Sequence, residues 1–503
     1  MMPDDLLPLD IPPGVYRNGT EYEAKGRWRD VNLIRWYNGR LRPVGGWQRM
    51  TKVPLAGIPR ALLTWRDLRE VRHAAIGTDS KLYVNEGGES TDITPANLAP
   101  GRPDSVYGLG FGASKYGKEA YGTERSSSGL ILDATVWALD NFGQFLIACS
   151  PADGRIFLWN PTTTGPATVI HATAPTECRS VFVTDENFVV AIGANGDPSD
   201  VVWCSQGDYT VWTPQATNSA GELRLRTNGL SQSGRRMTGE SLIFTDTDVH
   251  AMRYIGPPLI YGIERIGSNC GVVGPRAHAA TLDFCVWMSN LNFFIYDGNV
   301  RAIPCDVQEY VFDDLNLMQG AKVQAGINSQ YSEVWWFYPS AKSLENDRYV
   351  IWNYRENHWS IGQLSRTAWT DREAWPFPIA AAPDGNVYQH EQGWTDAGLT
   401  RVGTIYAQSG PLDFGSGKMT MDVSQAIPDT NVGGPDSVQY SFDLGMTPTG
   451  QKLMAGPYSQ VRPDGYMDMR FSARQVKMRV DALQDVLFQV GTMRFDAQPG
   501  SGR

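Results

Sequence analysis

The feature that most constrains the fold is a short β-like unit, an apolar and aromatic run beside a turn, that recurs along the middle of the chain. Its copies occupy residues 81–87, 154–160, 200–212, 248–254, 292–298, 349–359 and 385–390. Most are separated by about 40 to 55 residues, the length of one four-stranded propeller blade. A lone four-stranded sheet leaves apolar faces uncovered, so radial neighbours must cover them. The spacing predicts an all-β chain built around a β-propeller of six or seven blades.

Composition and turn chemistry agree with this interpretation. The chain is rich in Gly, Pro, Trp and Tyr, which favours short strands and tight turns over long helices. Apolar runs at 142–148, 187–192 and 240–245 precede several units, and Asp-Gly pairs at 153–154, 297–298 and 384–385 predict hairpin turns. The alternative is an array of β-sandwiches with coincidental spacing, because the units are divergent and no WD or kelch signature repeats.

The organisation predicted from the sequence has three parts. Residues 1–60 form an N-terminal assembly segment partly packed on the propeller, and residues 61–400 form the propeller. After Arg401 the blade-like units no longer recur. Val476, Met478 and Val480 alternate there with Gln475, Lys477 and Arg479, which is the period of two of a half-buried strand. Residues 401–503 are therefore predicted to form a C-terminal β-sandwich.

An insertion at about residues 100–130 interrupts the propeller pattern. Its dense glycines leave few side chains to bury, so a projecting loop is predicted. Tyrosine set among glycines supplies adaptable contact area, which suits a subunit contact or a channel constriction, and a merely flexible insertion is the alternative. The candidate loop or channel contacts are Tyr107, Phe111, Lys115, Tyr116 and Tyr121.

The N-terminal segment sets tryptophans and tyrosines among arginines. Both residue types contribute interface binding energy disproportionately, so the segment is interpreted as an assembly surface, and a solvated surface with a basic bias is the alternative. On this interpretation, alanine at Arg35 and Trp36 impairs assembly more than folding. The candidate interface residues are Tyr16, Arg17, Arg27, Trp28, Arg35, Trp36, Arg42 and Trp47.

Reactive residue types follow no catalytic or metal-binding pattern. The six cysteines lack a Cys-x-x-Cys pair, which predicts buried free thiols, and the six histidines show no metal-ligand spacing. We therefore expect no catalytic residue, metal or cofactor, and no enzyme. No apolar run reaches the roughly 20 residues of a membrane helix, and Met1–Pro13 lacks the features of a signal peptide. A net charge of −10 disfavours a sequence-specific DNA binder.

The N-terminal segment contains a series of short motifs, Gly26-Arg27-Trp28, Asp30, Arg35-Trp36, Asn38-Gly39 and Pro43-Val44-Gly45-Gly46-Trp47. With these residues it resembles the opening of tail proteins from short-tailed bacteriophages, in the group called packaged-DNA stabilisation or tail-nozzle proteins. The resemblance implies a structural virion protein that lies below the portal and adaptor, retains packaged DNA and conducts it during ejection.

The same resemblance implies the partners. They are sister copies in a homo-oligomer, expected as a hexameric ring, the adaptor or head-to-tail connector, and a tail fibre or spike. Double-stranded DNA passes non-specifically through the lumen, and an acidic body suits this because it does not hold phosphates. The expected location is the virion tail, after assembly in the host cytoplasm.

Two further interpretations remain open from the sequence. One is a host-surface propeller that binds or cleaves glycans, because exposed tryptophans stack on sugar rings. The other is a tail-fibre adaptor that has the same propeller but no channel role.

Overall fold

A computed structural model describes residues 6–108, 131–413, 420–431, 435–445 and 453–500. Most of the strands in this part of the chain belong to seven four-stranded antiparallel sheets, which are the blades of a β-propeller. From the channel outwards, blade 1 contains Pro59–Arg66, Arg72–Thr78, Leu82–Glu86 and Glu89–Asp92, and blade 2 contains Ala138–Phe142, Phe145–Cys149, Ile156–Trp159 and Thr168–Val169. Blade 3 contains Ser180–Val183, Val189–Ile192, Asp200–Trp203 and Gly221–Arg224. Blade 4 contains Ser231–Met237, Glu240–Thr245, Asp248–Gly256 and Ile260–Ser268.

The remaining blades complete the ring. In the same order, blade 5 contains His278–Ala280, Cys285–Met288, Phe293–Tyr296 and Val300–Ala302. Blade 6 contains Gln324–Asn328, Glu333–Tyr338, Arg348–Asn353 and His358–Gln363. Blade 7 contains Ala368–Thr370, Ile379–Ala381, Val387–His390 and Trp47–Arg49. The inner strand of blade 7 lies beside that of blade 1, which closes the circle. Apolar clusters fill the spaces between the blades.

The N-terminal segment supplies the outer strand of blade 7. Trp47 pairs with His390 and Arg49 pairs with Tyr388, so residues more than 300 positions apart join one sheet. Because this strand comes from the opposite end of the propeller sequence, its hydrogen bonds help to close the ring.

The predicted propeller is confirmed, with seven blades. Each recurring unit coincides with the third strand of one blade, and the apolar runs at 142–148, 187–192 and 240–245 contain second strands. The glycines of the three Asp-Gly pairs have φ of +80°, +107° and +79°, which confirms them as turns.

Two packed sheets form the C-terminal β-sandwich. Phe442 of one sheet lies 5.1 Å from Phe471 and 5.8 Å from Phe495 of the other, measured between ring centroids. The first sheet contains Leu7–Leu9, Met493–Pro499, Met421–Ile427 and Met467–Ala473. The second contains Trp28–Asn32, Tyr406–Ser409, Gln475–Ala482, Val438–Gly445 and Leu453–Tyr458, with Leu412–Asp413 beside Gln475–Ala482.

The sandwich also depends on the N-terminal segment. Leu7–Leu9 and Trp28–Asn32 each occupy one edge of its two sheets. A further small sheet combines Ile34–Tyr37, Arg40–Pro43, Gln489–Val490 and Thr430–Asn431. Val476, Met478 and Val480 are buried as predicted, and Gln475 and Arg479 are half-buried. Lys477, which the alternation placed on the other face, is buried as well, so the period of two is confirmed only in part.

Few helices accompany the sheets. The described residues form one α-helix, Gln308–Asp313, and two 3-10 helices, Leu317–Lys322 and Pro435–Ser437. None of them has the length and apolar character needed to cross a membrane. A two-stranded ribbon of Val106–Tyr107 and Ile131–Leu132 lies between blades 1 and 2.

Candidate functional site

Four of the eight candidate interface residues lie in the interior of the chain itself. Trp28, Arg35, Trp36 and Trp47 are only 4%, 2%, 1% and 3% exposed. Their contacts are made within this chain, so the interpretation of these four as an assembly surface is wrong. Large aromatic side chains are buried here because the segment runs between the propeller and the sandwich. The half-buried members are Tyr16, Arg17, Arg27 and Arg42, for which an assembly role stays a prediction.

Arg35 joins the segment to blades 6 and 7. Its Nη1 and Nη2 donate to the two carboxylate oxygens of Glu391 at 2.9 and 2.6 Å, and its Nε lies 3.0 Å from Glu333 Oε1. The guanidinium also stacks 3.8 Å from the ring centre of Tyr331. The paired donors of arginine match a carboxylate in a way that no other side chain can, so this position is specific for arginine.

The two glutamates share one cation in a buried site. Burial is the largest cause that raises the pKa of Glu333, to about 7, and Glu391 acts in the same direction, while Arg35 opposes both. The attraction of the two carboxylates raises the pKa of Arg35 above its ordinary value against the opposing effect of burial. Trp335 donates its indole N–H to Glu333 Oε2 at 2.9 Å, which leaves the carboxylate well coordinated.

Gly45 and Gly46 are required by close backbone packing. A Cβ on Gly46 would lie 2.5 Å from the carbonyl oxygen of Thr395, and one on Gly45 would lie 2.8 Å from Cα of Glu391. Arg401 holds this part of the segment in place, because its Nη1 and Nη2 donate to the carbonyls of Gly45 and Val44 at 3.0 and 2.9 Å. The Gly-Gly pair therefore lets the segment lie against the loop that follows blade 7.

Trp47 completes this junction. Its ring stacks on His390 at 5.3 Å, and the guanidinium groups of Arg366 and Arg401 lie 4.9 and 5.0 Å from its ring centre. Its indole N–H donates to Asp396. We call residues 26–47, together with Glu333, Glu391 and Arg401, the N-terminal clasp.

The half-buried arginines of the segment pair with acids of their own chain. Arg17 lies 2.7 Å from Asp30, and Arg27 lies 3.2 Å from Asp306. These pairs remain partly open to solvent, so a partner subunit can reach them. Arg42 stacks 5.3 Å from the ring centre of Tyr37.

The predicted loop contacts are only partly within the described structure. Tyr107 lies in the two-stranded ribbon and is 61% exposed, next to Val106 and Ile131, which are 45% and 49% exposed. The other four candidates, Phe111, Lys115, Tyr116 and Tyr121, lie outside the described residues.

A buried polar network anchors the base of this ribbon. Gln319 accepts from the N–H of Ser105 at 3.0 Å and donates to its carbonyl at 2.9 Å. Lys322 contacts Asp104 at 2.5 Å and Glu345 at 3.0 Å. Arg60 makes a bidentate pair with the same Glu345 at 2.8 and 2.7 Å. The ribbon is thus held by blade 1, blade 6 and the 3-10 helix before blade 6.

The inner strands surround an axial cavity of about 1460 Å³. Arg236 pairs with Asp185 at 3.4 Å and Arg179 approaches Asp133 at 3.9 Å on its wall. Inner strands of neighbouring blades contact one another around most of the ring, and a DNA duplex has a major groove that alone is about 12 Å wide. We therefore expect the channel of one chain to be too narrow for double-stranded DNA.

The other reactive groups are considered by residue type. All six cysteines are free and buried, which confirms the prediction, and burial raises the pKa of Cys285 to about 12. No cluster of three or more His, Cys, Asp or Glu side chains in the described ranges could hold a metal ion. Fifteen of the sixteen tryptophans are buried and Trp394 is half-buried, so the exposed tryptophans on which the glycan interpretation rested are not there.

Sequence reasoning found one side of the clasp and missed the other. Glu333, Glu391 and Arg401 lie in no motif, and only their three-dimensional positions connect them with Arg35 and Gly45. The same is true of the network around Lys322. A lone buried charge in an apolar strand, such as Glu333 in Glu333–Tyr338, is the signal that could have indicated a partner.

Comparison with known proteins finds only distant structural similarities. No family model matches the sequence, and no curated protein matches it. The β-propeller domain of Cps50 (Swd1) from Myceliophteria thermophila is similar with 9% identity, covering 66% of this chain and 97% of that domain, at a TM-score of 0.38. YCF48 bound to D1 peptide is similar with 8% identity, covering 69% of this chain and 97% of that one, also at 0.38. The propeller assignment rests on the sheet topology described above.

Proposed function

We propose that the chain is a structural subunit of a short-tailed bacteriophage tail, the nozzle that retains packaged DNA and conducts it during ejection. The observation that carries the proposal is the clasp. The motifs that resemble the nozzle group are the residues that join blade 6, blade 7 and the sandwich, through Arg35, the Gly45-Gly46 pair and Trp47. Because these residues hold the propeller and the sandwich together, we expect every protein of a family that has both modules to need them.

The mechanical consequence suits a tail component. Closing a propeller with a strand from the other end of the sequence, and using the same segment as an edge of the sandwich, couples the two modules into one body. A subunit that carries load during ejection benefits from such coupling, since neither module can peel away without breaking buried ion pairs and strand hydrogen bonds. On this proposal the chain acts through contacts and not through catalysis.

The size of the axial cavity decides where DNA would pass. Because we expect one propeller channel to be too narrow for a duplex, the passage in the proposed nozzle lies between copies that surround a common axis. Several copies are then necessary for function, and the half-buried Arg17 and Arg27, with their exposed surroundings, are candidate contacts between copies.

The experiment that tests the proposal combines oligomer state with location. Native mass spectrometry and negative-stain microscopy of the purified chain should give closed rings, alone or with the adaptor protein. Cryo-electron microscopy of particles that carry a compact tag at the C-terminus should place the tag in a ring on the tail. A chain that stays monomeric with the adaptor present, and a tag absent from the tail, would refute the proposal.

A matched pair of variants tests the contact residues. Arg17→Ala combined with Arg27→Ala should leave the fold of the monomer intact and reduce incorporation into particles. Arg301→Ala serves as the control, because Arg301 also pairs with an acid at the surface, Asp297 at 2.7 Å, on the outer strand of blade 5. Equal incorporation of both variants would remove Arg17 and Arg27 from the interface.

A further inference from the structure

The inner strands of blades 4 and 5 lie further apart than the other neighbouring inner strands of the ring. The crevice between them opens into the axial cavity, and Ser233, Arg235, Arg276 and His278 line it. On the blade 4 side, Ser233 and Arg235 follow each other at alternate positions of one strand. On the blade 5 side, His278 stacks on Phe244 of blade 4, with 4.8 Å between ring centroids and 8° between planes.

Polar groups in this crevice lack partners within the described part of the chain. The buried atoms without a hydrogen bond include Ser233 Oγ and Arg276 Nε and Nη2. The ring of His278 has the backbone of Pro275 as its one hydrogen-bond partner in the described part of the chain. Ser233 is only 4% exposed. Neither Arg235 nor Arg276 lies within ion-pair distance of an acid among the described residues, although Arg236, the neighbour of Arg235, pairs with Asp185 at 3.4 Å. Buried donors are normally satisfied, so this cluster requires an acceptor.

The charge of the crevice defines that acceptor. Burial is the largest cause that lowers the pKa of Arg276, to about 10, followed by the charge of Arg235, while the charge of Asp140 opposes them. Burial together with Arg235 and Arg276 lowers the pKa of His278 to about 3. Cys285, which lies beside Arg235, is a neutral thiol because burial raises its pKa. Glu373 lines the same cavity and also faces Arg235, and burial raises the pKa of its carboxyl. The charged groups that act on His278 itself are Arg235 and Arg276.

We propose that the crevice between blades 4 and 5 binds a phosphate group of a small ligand that occupies the axial cavity. Arg235 and Arg276 supply charge-assisted donors, the hydroxyl of Ser233 can rotate to donate, and His278 can add a donor when it is protonated. Two guanidinium groups, a hydroxyl and an imidazole offer more donors than the two oxygens of a carboxylate accept, which favours the three or four oxygens of a phosphate. The site is independent of the proposed tail function.

Histidine NMR on the full chain tests the site with inorganic phosphate as the probe. Only six histidines are present, and the resonances of His278 are assigned by their absence in a His278→Gln chain. An opposite charge nearby raises a histidine pKa by about 1 to 3 pH units, so phosphate should move the titration of His278 upward. Sulfate should act in the same way, and it removes the titration of phosphate itself as a complication.

Two arginine variants separate the site from general salt effects. Arg235→Gln and Arg276→Gln should weaken phosphate binding about tenfold or more, whereas Arg236→Gln, on the same strand but paired with Asp185, should bind like the unmodified chain. Arg235 is exposed, so its variant should fold, and isothermal titration provides a second measure of affinity.

The outcomes are distinct. Shifts with phosphate and sulfate that depend on Arg235 and Arg276 support the proposal. No shift, the same shift with chloride at equal ionic strength, or a shift with citrate but not with phosphate would overturn it.

Discussion

Replacing Arg35 by methionine should destabilise the single chain. Arg35 and Glu333 each have side chains only 2% exposed, as has Glu391, and the arginine is the cation that both carboxylates contact. Removing one partner of a buried ion pair costs about 3 to 5 kcal/mol, because the charge that remains is uncompensated. Here two carboxylates are left, so the upper part of that range is expected. This differs from the expectation from the sequence, in which alanine at Arg35 and Trp36 impairs assembly more than folding.

Urea unfolding followed by tryptophan fluorescence measures the effect. Arg42→Met is the matched control, since Arg42 lies on the next strand of the same sheet and stacks on Tyr37 without a buried acid. Its replacement should cost less than about 1 kcal/mol. The loss in Arg35→Met should also be larger at pH 8 than at pH 5, because acid protonates the carboxylates left behind.

Two results would refute this reasoning. One is an Arg35→Met chain that unfolds at the same urea concentration as Arg42→Met. The other is a chain of normal stability that fails only to enter particles, which would restore the interpretation of Arg35 as an assembly contact.

Three further outcomes are expected. Burial raises the pKa of Glu333 to about 7 in the folded state, whereas in the unfolded chain this carboxyl loses its proton near its ordinary pKa. The free energy of unfolding should therefore fall as pH rises between these two pKa values, by up to about 1.4 kcal/mol per pH unit. If the difference between the pH curves of the unmodified chain and Glu333→Gln shows no such slope, the prediction is wrong. Gly46→Ala should lower the melting temperature clearly more than Gly262→Ala, where the added Cβ meets only ordinary contacts at 3.6 Å. Gln319→Leu should speed amide exchange at Ser105, whose N–H loses its acceptor; unchanged exchange would mean that the ribbon is anchored elsewhere.

The repeat was predictable from the sequence because of where third strands lie in a blade. Such a strand is covered on both faces by neighbouring blades and is followed by a turn, so it concentrates aromatic residues beside turn residues. Ile156–Trp159 and Phe293–Tyr296 are examples, and both are mostly buried. This local signal limited the predicted number of blades to six or seven, and the structure has seven.

The outer strand of blade 7 could not be predicted in the same way. Trp47–Arg49 has no local pattern that specifies a partner more than 300 residues away, and its pairing with Val387–His390 depends on the finished ring. Likewise, Trp28–Asn32 pairs in the sandwich with Tyr406–Ser409, more than 370 residues away. Pairings of this kind depend on long-range loop closure, which leaves no trace in a short window of sequence.

The misinterpretation of the N-terminal segment has a physical explanation. Buried tryptophans and bidentate arginines are the chemistry of any junction between two preformed surfaces, whether these belong to two chains or to two modules of one chain. Sequence shows that Arg35 and Trp47 need partners, but not whether the partners lie in the same molecule. What distinguishes the two cases is a complementary acid buried elsewhere in the chain. In this chain Glu333 and Glu391 are those acids, so Arg35 already binds its partners within a single copy.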